Sequence, residues 1–89
     1  MKRSADFLLR EVAGTQVLVP LGAAAVSFPG MVTLNDTGVF IWELLDHPQT
    51  IQTLTEALMA RYAVDQETAK NDVESFVNKL IPIGAILEN

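Results

Sequence analysis

The hydrophobic pattern of the chain changes character at Leu34. Before it, apolar residues alternate with polar ones or gather in short β-branched runs. After it, they recur every three or four residues. Phe7 to Val12 alternates, with Leu8, Arg10 and Val12 on one face and Phe7, Leu9 and Glu11 on the other. Ala13-Gly14-Thr15 reads as a turn, and Val17-Leu18-Val19 returns along it to complete a hairpin. Pro20 and Gly22 end that strand. Ala23 to Phe28 consists mostly of small residues and suits either a weak strand or a loop. Pro29-Gly30 reads as a type II turn, with proline at the position of fixed φ and glycine where φ is positive. Met31 to Leu34 then forms a short third strand that runs directly into a helix.

That helix, LNDTGVFIWELLD from Leu34 to Asp46, is the centre of the pattern. Asn35 is the expected N-cap, since its side-chain oxygen can accept from an unpaired N–H one turn in. Leu34 and Val39 hold the two positions whose side chains can close over the cap. Gly38, Val39, Phe40, Ile41, Trp42, Leu44 and Leu45 cover most of the helix surface, leaving Asp36 and Glu43 on one narrow polar strip. A helix apolar nearly all round has to be covered on two sides. It is therefore expected between the sheet and further helices, with Trp42 in the core.

His47-Pro48 breaks the chain, because the residue before proline avoids helical angles. Thr50 caps a second helix, with Ile51, Leu54, Leu58 and Tyr62 on one face and Gln52, Thr53 and Glu56 on the other. Asp65 caps a third, whose apolar stripe is Ala69, Val73, Phe76, Val77 and Leu80. Pro82 and Gly84 end it, and Ile86-Leu87 can add a short extended tail. Strands first and helices second predict an α+β fold: a three-stranded antiparallel sheet followed by three helices, βββααα. Three short strands are marginal alone, so the first helix must lie on the sheet.

Residues 1–89 make a single domain. Apolar residues are 49% and charged residues 19% of the chain, which argues against disorder. No apolar run approaches the ~18 residues of a membrane span, and the N-terminal stretch lacks the long apolar segment of a signal peptide. A cytoplasmic protein without membrane association is expected. The net charge is −5, with −1 on residues 1–45 and −4 on residues 46–89. Nucleic-acid binding relies on Lys and Arg displacing counterions from phosphates, and here the helical half is the more acidic.

Catalytic material is sparse. The chain has no cysteine and one histidine, His47, in a His-Pro loop, which gives a metal no thiolate and no second imidazole. Ser4, Ser27 and Ser75 have no histidine base near them in sequence. Asp72 and Glu74, two apart on one helix, point in different directions and do not form an acid/base pair. No glycine-rich phosphate loop is present. The reading is a protein that is not an enzyme and that needs no cofactor or metal.

What remains is surface. Asp72, Phe76 and Lys79 line up at i, i+4 and i+7 on a flank of the third helix. Met31, Val32, Thr33 and Leu34 carry neither charge nor proline, so nothing blunts that strand if it lies at the sheet edge. An open edge beside an amphipathic helix is the arrangement that captures an extended peptide by strand addition.

The blocks FLLREVAG, VLVP, LNDTGVFIWELL, LTEALMARY and DVESFVNKL followed by GAIL, in that order and spacing, resemble the PqqD family. These are small peptide-chaperone proteins named for pyrroloquinoline quinone synthesis, and the same domain is called the RiPP recognition element in other peptide-modifying systems. The resemblance spans about Phe7 to Leu87. It implies a winged-helix-like fold of three strands and three helices, without catalysis. It also implies binding of a precursor's leader peptide against the third strand and third helix, for presentation to a modifying enzyme, often of the radical-SAM type. By position, the peptide walls would be Met31, Val32, Thr33 and Leu34 on the strand, and Asp72, Phe76 and Lys79 on the helix. The longer Leu21–Gly30 segment and the LND motif are closer to the broad PqqD-like family than to the quinone pathway's own member.

Two other functions compete with this one. A winged-helix DNA-binding regulator would need a basic exposed helix, and the third helix offers only Lys70 and Lys79 beside Asp72 and Glu74. A structural subunit that binds no leader is the other. The pattern is equally consistent with a monomer and with a homodimer.

Overall fold

The hairpin turn at Ala13-Gly14 sets the register of the sheet. In the computed structural model, which describes residues 1–88, both turn residues have positive φ, 52° and 81°. That is the type I′ geometry whose twist matches the flanking strands. It joins β2 (Phe7–Val12) to β3 (Thr15–Pro20), antiparallel with Val12 opposite Thr15 and Phe7 opposite Pro20. A third strand, β4 (Val32–Leu34), pairs antiparallel with β3, with Leu18 opposite Val32 and Gln16 opposite Leu34. The sheet order is β2-β3-β4.

Backbone polarity follows from that turn. Antiparallel neighbours alternate between pairs that exchange both backbone bonds and pairs that exchange none. A two-residue turn is closed by a bonded pair, here Val12 and Thr15. Arg10–Val17 and Leu8–Val19 are then bonded pairs too, and the next position outward agrees, since Leu21 N–H donates to Asp6 C=O at 2.8 Å. Pro20, which has no N–H, falls at a non-bonded position. Gln16 and Leu18 therefore turn their groups toward β4 and bond Leu34 and Val32. Thr33 sits opposite Val17 with its N–H and C=O pointing away from the sheet.

The simple βββααα order needs correction. Ala23 to Phe28 is neither strand nor loop: Ala23–Ser27 forms a short helix, α1, between β3 and β4. Alanines favour helix once Pro20 and Gly22 have ended the strand. Pro29-Gly30 is not a type II turn either, since Gly30 lacks the positive φ that Gly14, Gly22 and Gly84 have. The ring of Phe28 lies 3.6 Å from where a Gly30 Cβ would stand. The third strand begins at Val32, leaving Met31 outside it. A second, two-stranded sheet was not legible in the pattern: β1 (Lys2–Arg3) pairs antiparallel with β5 (Ile86–Leu87), tying the chain ends together. The architecture is α+β, with strands and helices interleaved.

The expected caps are present. In α2 (Asp36–Leu44) the Asn35 side chain accepts from Gly38 N–H at 2.8 Å. In α3 (Ile51–Tyr62) Thr50 and Thr53 form a reciprocal capping box. In α4 (Gln66–Leu80) Asp65 accepts from Thr68 N–H at 2.8 Å. Hydrogen bonding from Thr68, side chain and backbone, holds the Asp65 carboxyl below the usual aspartate range. α2 is covered as its composition required. Ile41, Trp42 and Leu45 are almost wholly buried, in one core with Leu18, Val32 and Leu34 from the sheet and Leu54, Leu58, Val73, Val77 and Leu80 from α3 and α4. On its remaining side, Phe40 meets Tyr62 edge-on, with ring centroids 5.7 Å apart.

Candidate functional site

Among the described residues β4 pairs with β3 alone, which leaves its other edge free. Its side chains are already committed: Val32 and Leu34 are buried in the core, while Thr33 is exposed on the opposite face. What the edge offers is backbone, chiefly the Thr33 N–H and C=O. The other free edge, on β2, carries Arg10 and Glu11, charges of the kind that discourage strand pairing.

Beside the β4 edge lies a groove of about 420 Å³. Thr33, Leu34 and the first turns of α2 form one wall. Asp72, Ser75, Phe76 and Lys79 of α4 form the other. Ile41 and Leu80, both buried, close the floor. Of the seven residues singled out from the sequence, Thr33, Leu34, Asp72, Phe76 and Lys79 line this groove. Met31 and Val32 do not: Met31 lies outside the strand and 58% exposed, and Val32 turns its side chain into the core.

Two lining residues escaped the sequence reading although a signal existed. Ser75 completes the i, i+3, i+4, i+7 face begun by Asp72, so the helical period already places it there. Gly38 is a glycine inside a helix, which marks a close approach. A Cβ there would stand 3.2 Å from the Phe76 ring and 3.3 Å from the capping oxygen of Asn35. The missing side chain lets Phe76 lie over the start of α2, and the ring becomes the groove's central apolar surface. Gly38→Ala should be close to neutral, because the helix-propensity gain of about 1 kcal/mol offsets a few tenths of an ångström of movement by a half-buried ring. Gly38→Val should cost about 1–3 kcal/mol, the usual range for overpacking. Thermal melts of both variants check this, and an unchanged melt for the valine variant would contradict the close approach.

Electrostatically the groove is mixed. Asp72 and Lys79 are exposed on its rim, and among the described residues neither takes part in an ion pair. Among the described residues, Arg3 pairs with Asp46 at 3.1 Å, on the far end of α2. Among the described residues, no three His, Asp or Glu side chains are grouped to hold a metal, and no helix is long and apolar enough to cross a membrane.

The family model for coenzyme PQQ synthesis protein D (PqqD) matches residues 15–86. The chain belongs to the PqqD family. The match runs from the start of β3 to the first residue of β5, so it takes in the free edge, the groove and all three longer helices, and leaves out β1 and β2. A solved structure titled "TbiB1 in Complex with the TbiA(beta) Leader Peptide" has a similar fold, with a TM-score of 0.76. It is 24% identical, and the alignment covers 100% of this chain and 98% of that one. A comparison with curated proteins gave no match.

Proposed function

We propose that this PqqD-family protein captures the leader segment of a precursor peptide as an added strand on β4, and presents it to a peptide-modifying enzyme. The observation that carries the reading is the free, uncharged edge of β4 opening into the groove beside α4. Support comes from TbiB1, a similarly folded protein whose structure includes a leader peptide. The modifying enzyme is inferred to be of the radical-SAM type and the setting cytoplasmic. In this winged-helix-like arrangement the last helix borders a peptide groove instead of reading DNA.

The magnitudes set what the groove must supply. The two backbone bonds that the Thr33 N–H and C=O can make contribute roughly 2 kcal/mol net. Micromolar binding needs roughly 8 kcal/mol, and ordering a flexible peptide widens the gap. Side-chain contacts must make up the difference, with the Phe76 ring as the principal apolar surface.

The competing function is DNA binding. α4 carries Lys70 and Lys79 against Glu67, Asp72 and the half-buried Glu74, so the helix is net acidic and has no basic face to offer a phosphate backbone. The discriminating experiment titrates the protein into a fluorescein-labelled leader peptide of a precursor encoded beside it, and separately into labelled random duplex at low salt. The expected result is saturable, micromolar anisotropy with the peptide and none with the duplex. Binding of the duplex alone would overturn the proposal.

A further inference from the structure

Resting on the strand-addition reading above, we infer that the groove selects its peptide by charge order. It takes a strand in which an apolar residue seated on Phe76 is flanked, two positions away on each side, by a basic residue at Asp72 and an acidic one at Lys79.

The spacing of the three side chains along α4 matches an extended strand. Asp72 precedes Phe76 by four residues and Lys79 follows it by three, and all three line one wall of the groove. At 1.5 Å per residue those offsets are about 6 Å and about 4.5 Å along the helix axis. In an extended peptide lying alongside α4, side chains on one face recur every ~6.8 Å. A residue centred on the ring therefore places its same-face neighbours within reach of Asp72 on one side and Lys79 on the other. Intervening residues face the opposite way.

Charge supplies the second half. Both rim groups are exposed and, among the described residues, neither is neutralised by a neighbour. Ser75, between them, is uncharged. The wall is thus acidic, apolar and basic in sequence, and its complement is a strand that is basic, apolar and acidic in the same direction. Antiparallel pairing with β4 is the more stable mode, so the strand direction is set by the edge and the complement has a single sense. A strand with the reverse order meets like charge at both rims.

The effect is that of two exposed pairs, each weak because water and salt screen it. Changing attraction to repulsion at both ends gives about tenfold between the two orders, which is 1.4 kcal/mol. Such a preference decides between similar extended segments of one precursor without dominating affinity.

The test uses two synthetic ten-residue peptides of identical composition. One is centred on Lys-Thr-Leu-Thr-Glu and the other on Glu-Thr-Leu-Thr-Lys. Affinities are measured by calorimetry for the wild type, for the double reversal Asp72→Lys/Lys79→Glu and for Thr33→Pro, each checked for folding by circular dichroism. The expected result is about a tenfold preference for one isomer in the wild type, the opposite preference in the double reversal, and loss of both in Thr33→Pro. Equal affinities in the wild type, or a preference that survives the double reversal, would overturn the charge-order inference and leave strand addition standing. Undiminished binding to Thr33→Pro, or binding of neither peptide to the wild type, would overturn the strand-addition reading itself.

Discussion

Trp42→Ala is expected to unfold the domain or lower its melting midpoint by at least 10 °C. Trp42 is 2% exposed, in the core between the sheet and α3 and α4. Removing a buried aromatic ring costs about 3–5 kcal/mol, against total stabilities of roughly 5–15 kcal/mol for whole domains. In a domain of this size each 1 kcal/mol shifts the midpoint by about 4–8 °C. The side chain also anchors a connection between distant parts of the chain. Arg3 stacks over the ring at 5.8 Å, donates to the Trp42 carbonyl at 3.2 Å and pairs with Asp46 at 3.1 Å. Loss of the ring therefore loosens the β1–β5 pairing as well as the core. A midpoint within a few degrees of wild type, measured by circular dichroism, would contradict this placement.

Proline at adjacent positions of β4 is expected to give opposite phenotypes. Val32 points its N–H into the sheet and its side chain into the core, so Val32→Pro removes a ladder bond, leaves a Leu18 carbonyl without its partner and empties a buried site. A buried acceptor without a partner costs about 1–3 kcal/mol in itself. Thr33 points its N–H outward, the orientation in which an edge strand tolerates proline. Thr33→Pro should keep a near-native fold and lose peptide binding by at least tenfold, because the added strand loses its central donor and meets the pyrrolidine ring. Melting curves and peptide titrations of the two variants separate these outcomes. A folded Thr33→Pro protein with wild-type affinity would show that the peptide does not pair with this edge.

The two prolines also show what could be learned from the sequence. The third strand, its neutrality and the shared flank of Asp72, Phe76 and Lys79 follow from local patterning, because alternation and helical period are properties of neighbouring residues, whereas the strand's place at the sheet edge came only with the strand order. The three helix caps were legible for the same reason: Asn35, Thr50 and Asp65 act on N–H groups within one turn. Which of Val32 and Thr33 faces outward was not legible. It depends on the Ala13-Gly14 turn type, propagated through two strand pairings. The pairing of β1 with β5 is invisible for a related reason. Two-residue strands have no measurable period, and their partners lie at opposite ends of the chain. α1 was missed because five residues rich in alanine carry no apolar stripe, and none of them is fully buried. Within the groove, Ser75 and Gly38 carried unread local signals, while the role of Gly38 against Phe76 needed the packing of α4 on α2.

The most direct test of strand addition is amide hydrogen exchange, followed by NMR on isotope-labelled protein with and without a saturating leader peptide. Thr33 N–H faces solvent in the free protein, whereas Val32 and Leu34 are already paired with β3. Peptide pairing should slow exchange at Thr33 by at least tenfold, with little change at Val32 and Leu34. It should also give cross-strand contacts between Thr33 and the peptide backbone. Unchanged exchange at Thr33, with protection appearing instead along β2, would contradict the account.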